Sequence, residues 1–528
     1  MLIMGISVAA TSCKKNDVVE PPVTEDTRAN LTKDSIFLYA KQIYLWNDAL
    51  PTFEQFNPRK YTGGETDLDN YEAELFAITQ YKKNPTTNQP YEFVSAQSTS
   101  PKYSYIDDIT TRNAAQAYVA KAKADVELNG SGYDLGFLTF QGYGTATSYE
   151  LYVTAVFPGS PAAIAGITRG TIINKINNTA IGTNFNGESD LIYSLIEDET
   201  TTATLSGTKA DGTAFANVVL TKVKYTSSPV YKNKTITAGT KKIGYLALAR
   251  FSELQSNAKK DLDAAFAQFA TDGVKELIID LRYNGGGYVS TAEYLINLIA
   301  PASATGAMFK EYYNDTMQAN KATILEKQPL LDENDKLQYQ NGKLITYADV
   351  DYSVAANTVN FSKKGGLSGV TNIVFLVSGN TASASELVIN SLKPVMTVKL
   401  VGKTTYGKPV GFFPIRLENK YDVYMSMFET RNKLDEGGYY AGFVPDVVDT
   451  DSRAVFDDST HDFGDPEESY TKNAIAILAP GAVVTTAKAV MSIRGKSVAV
   501  SSSLGLLKEA KPIKNFIGMV ETRHRIKK

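Results

Sequence analysis

The 528-residue chain holds one cysteine, Cys13, and two histidines, His461 and His524. With so few thiols and imidazoles, a His/Cys metal cage and a Cys/His nucleophile pair are both excluded, so any catalysis must rest on other side chains. An excess of positive charge is also missing, since 54 Lys and Arg face 57 Asp and Glu, for a formal net charge of -3. A field that weak cannot neutralise a phosphate backbone, and nucleic acid is not an expected partner. No apolar run is long enough to cross a bilayer core of about 30 Å as a helix. What remains is ordinary globular material, 43% hydrophobic and 21% charged, in a chain long enough for several domains.

The apolar stretch over residues 1–12 ends in small side chains directly before Cys13, and reads as the core of an export signal. Ala10-Thr11-Ser12-Cys13 resembles the lipobox of bacterial lipoproteins, although alanine replaces the usual leucine at position 10 and no Lys or Arg precedes the apolar run. The resemblance implies a signal peptide over 1–13, lipidation of Cys13 and a membrane contact made through the lipid alone. The polar, proline-bearing stretch over 14–30 is then a linker from a membrane surface. An outer-membrane lipoprotein of the cell envelope, facing the periplasm or the cell surface, is the expected location.

The rest of the chain divides by texture. Between 31 and 128 a helical N-terminal region is expected, because Ile36, Phe37, Tyr39, Ala40, Ile43, Tyr44 and Trp46 fall at helical spacing, with Asn30 or Thr32 as cap. Its aromatic residues are expected to serve core packing. From 129 to 225 short glycine-punctuated segments signal strands and a small β-rich module. From 226 to 479 apolar strands at 242–248, 276–280 and 372–377 alternate with helical stretches at 252–269 and 290–299, the pattern of an α/β core. Within it, 307–366 is polar and weakly periodic and is expected to be an inserted lid. Residues 480–528, with a basic end from Arg523 to Lys528, are expected to form a separate C-terminal extension.

In the β-rich module, the stretch from Val156-Phe157-Pro158-Gly159-Ser160-Pro161 to Ile176-Asn177 is similar to the most recognisable part of bacterial PDZ domains, with Thr171 where the family usually has aspartate. The resemblance implies that Leu135, Gly136 and Phe137 form the carboxylate-binding loop. The strand that follows would offer an edge on which an extended peptide can add through main-chain hydrogen bonds.

The sharpest chemical signal is Ser383-Ala384-Ser385-Glu386, where an apolar strand breaks at Gly379 and a helical pattern begins. A serine at a helix start is often only a cap. The same position also sets its hydroxyl among unpaired amides that favour developing negative charge. Lys408, 25 positions on, stands in a glycine turn, Gly407-Lys408, after another strand. Strand, Ser-Ala-Ser-Glu helix, strand and Gly-Lys together resemble the tail-specific, C-terminal-processing serine peptidases of family S41. The resemblance makes Ser383 the nucleophile and Lys408 its general base, with Ser385 the competing serine turned away. A lysine works as a base only when neutral, so burial must lower its pKa by several units. Such a pair needs no histidine.

A third element, Asp280-Leu281-Arg282-Tyr283-Asn284-Gly285-Gly286-Gly287, follows a buried-type strand and resembles the same family's glycine-rich turn. Acyl transfer needs two amide donors where the carbonyl oxygen turns negative; the candidates are the amides of Gly286 and Ala384, with Gly287 next in line. Asp280 and Arg282 are expected to brace the turn as a charged pair. The patterns that mark a phosphate cradle are absent. Gly442-Phe443-Val444-Pro445-Asp446 resembles an element near the end of the family's catalytic domain, whereas Phe412 stands where a lysine-orienting glutamine is usual.

The fold class expected is therefore multi-domain α/β: a helical N-terminal region, a PDZ-like β-rich module and a catalytic core of the ClpP/crotonase-like type. The function implied is a serine endopeptidase acting on unfolded or C-terminally presented polypeptides, with no metal or organic cofactor required. The alternative is a relative that keeps the fold and grips peptides without cutting them; a small-molecule esterase leaves the PDZ-like module unexplained.

Overall fold

A computed structural model describes residues 26–111, 126–197, 199–332, 336–449, 455–484, 505–507 and 518–527. The leader, the lipidation candidate Cys13 and most of the linker lie outside these residues.

The centre is a six-stranded sheet in the order Val230–Ala238, Lys241–Leu248, Glu276–Asp280, Asn372–Val377, Thr397–Gly402 and Val447–Val448, antiparallel at the first pairing and parallel thereafter. Its middle strands read as unbroken apolar runs because both faces are covered. Leu277, Ile279, Ile373 and Phe375 point into the larger core beneath helices Lys259–Asp272, Val289–Ile299 and Ala384–Leu392. Their neighbours Ile278, Val374 and Leu376 point the other way, under helix Ser469–Leu478. Gly286, Ser383 and Lys408 follow the C-terminal ends of three adjacent parallel strands, after Asp280, Val377 and Gly402. Open α/β sheets bind ligands at that edge.

The N-terminal region departs from expectation. Its helices, Arg28–Ile43, Phe53–Phe56 and Asp67–Thr79, are capped by Thr27, Thr52 and Thr66, not by Asn30 or Thr32. After Thr79 the chain runs irregularly to a strand, Tyr105–Asp108, that pairs with Tyr421–Tyr424. Ile36, Phe37, Phe56 and Leu75 belong to the same core as the central helices, so the region is packed into the central α/β body. The stretch expected as a lid behaves likewise. Strand Ala307–Tyr313 pairs with Phe428–Asn432, and Met308, Phe309 and Met317 are completely buried, so apolar anchors hold it in place.

The β-rich module is an antiparallel sheet of Phe137–Thr145, Ser148–Val156, Ile172–Ile176, Thr202–Thr208 and Ala214–Thr221 around its own core. Leu135 and Phe137 are buried in that core; the Leu135 and Gly136 carbonyls accept from the amides of Ala162 and Phe157. Along the free edge of Phe137–Thr145, residues 505–507 pair in antiparallel register, Gly505 with Gly144 and Leu507 with Gly142.

A buried ion network joins module to core. Arg169, on the module, donates to Asp457 at 2.7 Å and to the Tyr283 hydroxyl at 2.9 Å. Arg282 forms the expected pair with Asp280 at 2.9 Å and also reaches Asp457 and Glu468 at 2.7 and 2.8 Å. The two guanidiniums hold the Asp457 carboxyl well below the usual range against the opposing effect of burial. Removing one partner from such a network leaves charge buried without compensation. Arg282→Met is therefore expected to lower stability by about 3–5 kcal/mol, read as a shift of the urea midpoint by circular dichroism, and an unchanged midpoint would contradict this.

Candidate active site

Ser383 precedes the first helical residue, Ala384, with φ 59° and ψ −112°. A non-glycine residue in that region stores about 1–3 kcal/mol, so the surroundings must enforce it. The Ser383 amide donates to Glu386 Oε2 at 2.9 Å, and its carbonyl accepts from Leu387 at 2.8 Å. The hydroxyl is fully buried and has no hydrogen-bond partner among the described residues, a cost in free energy that a purely structural serine has no reason to bear. Ser385 differs, since its hydroxyl donates to the Asn284 carbonyl at 3.0 Å.

Glu386 is completely buried and ties the two halves of the site together. It accepts from the Thr405 hydroxyl at 2.6 Å and the Gly407 amide at 2.8 Å on one oxygen, and from the amides of Ser383 and Lys408 on the other, at 2.9 and 2.8 Å. Ser383 and Lys408 are thus anchored to a single carboxyl oxygen. Burial raises the Glu386 carboxyl above its ordinary value, an effect that these four donors offset only in part. The Gly442–Asp446 element closes the far side: Thr405 exchanges hydrogen bonds with Phe443. Gly407 sits at φ 82°, where a Cβ would meet the Tyr440 carbonyl at 2.4 Å, so only glycine fits that turn.

The Lys408 side chain is wholly buried. Its amine donates to the Tyr103 carbonyl at 3.2 Å and lies 4.5 Å from the centre of the Phe412 ring. Loss of hydration lowers its pKa to about 7, with Lys102 pushing the same way and Glu92 and Glu386 opposing. Position 412 therefore supplies an apolar ring beside the amine, and a polar anchor comes from the N-terminal region.

Ala384 is the first residue of its helix, so its amide is one of the four that no helix supplies with a partner. Gly286 does not behave as expected: its amide donates to Asn284 Oδ1 at 2.9 Å and is already engaged. It does abut the serine. A Cβ built on Gly286, at φ 115°, would stand 3.1 Å from Ser383 Cβ. Leu135, Gly136 and Phe137 belong to the β-rich module and not to this cluster. A small cavity lined by Leu128, Leu138, Phe157, Tyr231, Arg250 and Gly286 opens between module and core beside the glycine turn.

Residues 242–448 match the model of peptidase family S41. The chain carries an S41 peptidase domain. It is 25% identical over 306 residues to the "Probable CtpA-like serine protease" of Staphylococcus aureus, covering 57% of this chain and 50% of that protein. It is 26% identical over 302 residues to "Carboxyl-terminal-processing peptidase 1, chloroplastic" of Arabidopsis thaliana, covering 56% and 52%. The chain thus spans about half the length of the curated relatives it matches. The crystal structure of a presumed S41 protease from Bacteroides fragilis superposes with a TM-score of 0.52 at 20% identity, over 87% of this chain and 98% of that one, a likeness of fold.

The Lys408 pocket also rests on a residue that no motif in the sequence marks. Glu92, completely buried, accepts five hydrogen bonds, from the Tyr103 and Ser104 amides and the Tyr44, Ser104 and Ser426 hydroxyls, at 2.7–3.1 Å. It fixes the loop whose carbonyl receives Lys408. The only trace in the sequence is an acidic residue set between Tyr91 and Phe93.

Nitrogen-15 lysine NMR should find Lys408 titrating at about 7, far below the usual value of about 10.4. Because the Glu92 charge favours the ammonium form, Glu92→Gln should move that midpoint further down. A midpoint near 10, or an upward shift in the variant, would contradict the account.

Proposed function

We propose that this protein is a serine endopeptidase in which Ser383 is the nucleophile and Lys408 the general base. The observation that carries the reading is that Lys408, whose buried amine has its pKa lowered to about 7, is anchored through its main-chain amide to the same Glu386 oxygen as the amide of Ser383, whose hydroxyl is buried without a partner among the described residues. Ser383 Oγ attacks the scissile carbonyl as Lys408 Nζ takes its proton. The tetrahedral intermediate collapses with that proton passing to the leaving amine, and water then hydrolyses the acyl-enzyme by the reverse proton path. The Ala384 amide faces the developing oxyanion as the first donor of the helix. Gly286 joins it once its amide is released by Asn284.

The polypeptide substrate class follows from the S41 domain and from the carboxyl-terminal-processing activity that the Arabidopsis relative carries in its name. In this reading the β-rich module is a PDZ-like captor. It receives an extended or C-terminal segment at the Leu135–Phe137 turn and along the strand that follows, and hands it to the core across the cavity beside Gly286.

The base is active when deprotonated, so kcat/KM rises with pH through about 7 and levels above it. With a disordered protein as substrate and mass spectrometry of the products, Ser383→Ala and Lys408→Met are each expected to lose at least about 10³-fold in kcat. Lys408→Arg should be as inactive, because a guanidinium stays charged. Cleavage by either Lys408 variant within tenfold of the parent would overturn the assignment.

A further inference from the structure

Residues 518–520 lie as a parallel strand against Gly286–Tyr288, Gly286 opposite Gly518 and Tyr288 opposite Val520. The other side of the same strand is also paired: Phe412 donates its amide to the Met519 carbonyl at 3.1 Å and accepts from the Glu521 amide at 3.2 Å. The segment is therefore the middle strand between the glycine turn and the residue beside Lys408. It lies close to the nucleophile. The point that a Cβ on Gly286 would occupy is 2.3 Å from the Gly518 carbonyl oxygen and 3.1 Å from Ser383 Cβ.

The segment is held by more than its backbone. Met519 is completely buried in the central core. Glu521 is buried against Glu311 and takes three bonds from Arg523, from the amide at 2.6 Å, from Nε at 3.1 Å and from a terminal nitrogen at 2.9 Å. Arg523 in turn reaches Glu293 on helix Val289–Ile299. Further along, Asp351 donates to the Arg525 carbonyl, and Lys527 donates to that of Asp349. An extended strand gripped on both edges, with one side chain sunk in a pocket and its main chain beside the serine, has the geometry of a polypeptide in a binding groove. A second contact points the same way. Residues 505–507 pair antiparallel on the edge of Phe137–Thr145 and run toward the Leu135–Phe137 turn.

We propose that this C-terminal part of the chain is an internal ligand of its own peptide-binding surfaces. Residues 518–521 fill the groove between Gly286–Tyr288 and Phe412, and a polypeptide substrate must displace them to reach Ser383. The groove takes an extended chain by main-chain pairing and selects an unbranched apolar side chain at the Met519 position. The activity arm of this inference rests on the proposed hydrolysis; the binding arm does not.

The binding arm uses a fluorescein-labelled peptide of residues 516–528 and a chain ending at Ile517 that also carries Ser383→Ala, read by anisotropy. Hydrogen exchange over 285–289 and 410–414 in the unlabelled chains accompanies it. Saturable binding, with protection lost in the shortened chain and restored by peptide, is expected. The activity arm compares kcat/KM on a disordered protein for the full chain and for Glu521→Pro, which removes the amide to Phe412 and the carboxylate that holds Arg523 while leaving the chain full length. A rise of at least tenfold is expected in the variant, reversed competitively by the peptide. Absence of peptide binding to a folded shortened chain, together with an unchanged rate in Glu521→Pro, overturns the inference. Peptide binding with no cleavage by any chain supports the occupied groove and counts against the hydrolysis alone.

Discussion

The site depends on one buried carboxyl group. Glu386 takes the amide of Ser383, the amides of Gly407 and Lys408 and the hydroxyl of Thr405. In doing so it holds a strained serine at one strand end and a lysine turn at the next. A carboxyl this deeply buried is tolerated only when its lone pairs are filled, and here the four donors come from the two loops that must be kept together. Without that clasp, nothing in the local sequence would hold Ser383 at a positive φ or pin the Lys408 turn to the helix start.

The amine of Lys408 is set by its surroundings in the same way. Its low pKa arises from exclusion of water by Phe412, Tyr103 and the core behind them, and Glu92 keeps the Tyr103 loop in place. This explains why the N-terminal region is fused to the central α/β body: it supplies the roof of the lysine pocket. The Arg169–Asp457–Arg282–Glu468 network does the corresponding work at the other end, fixing the β-rich module to the glycine turn through charges that cannot be removed one at a time.

Much of this is legible in the sequence where local rules dominate. Strands 276–280 and 372–377 are readable because two-sided burial demands unbroken apolar runs, and the helix after Ser383 because an apolar strand breaks at Gly379 and a helical pattern follows. What escapes is long-range. Glu92 serves Lys408 from more than 300 positions away, and no spacing rule connects them. The polarity of 307–366 suggests a lid, yet a few residues, Met308, Phe309 and Met317, suffice to bind it to the core. The extension after 480 shows weak alternation and a basic end, and its pairing with Gly286–Tyr288 and Phe412 is a tertiary contact that composition does not encode. The engaged Gly286 amide is likewise invisible, since glycine-rich turns advertise available donors and not where those donors point.

The central claim is that Ser383 is made nucleophilic by a neutral, buried Lys408. Its most direct test is covalent capture with a peptide boronate, located by peptide mapping and followed as a rate against pH. The account predicts one tetrahedral adduct on Ser383, forming faster as pH rises through about 7 and not forming in Lys408→Met. An adduct on another residue, or a rate on Ser383 independent of both pH and Lys408, would contradict it.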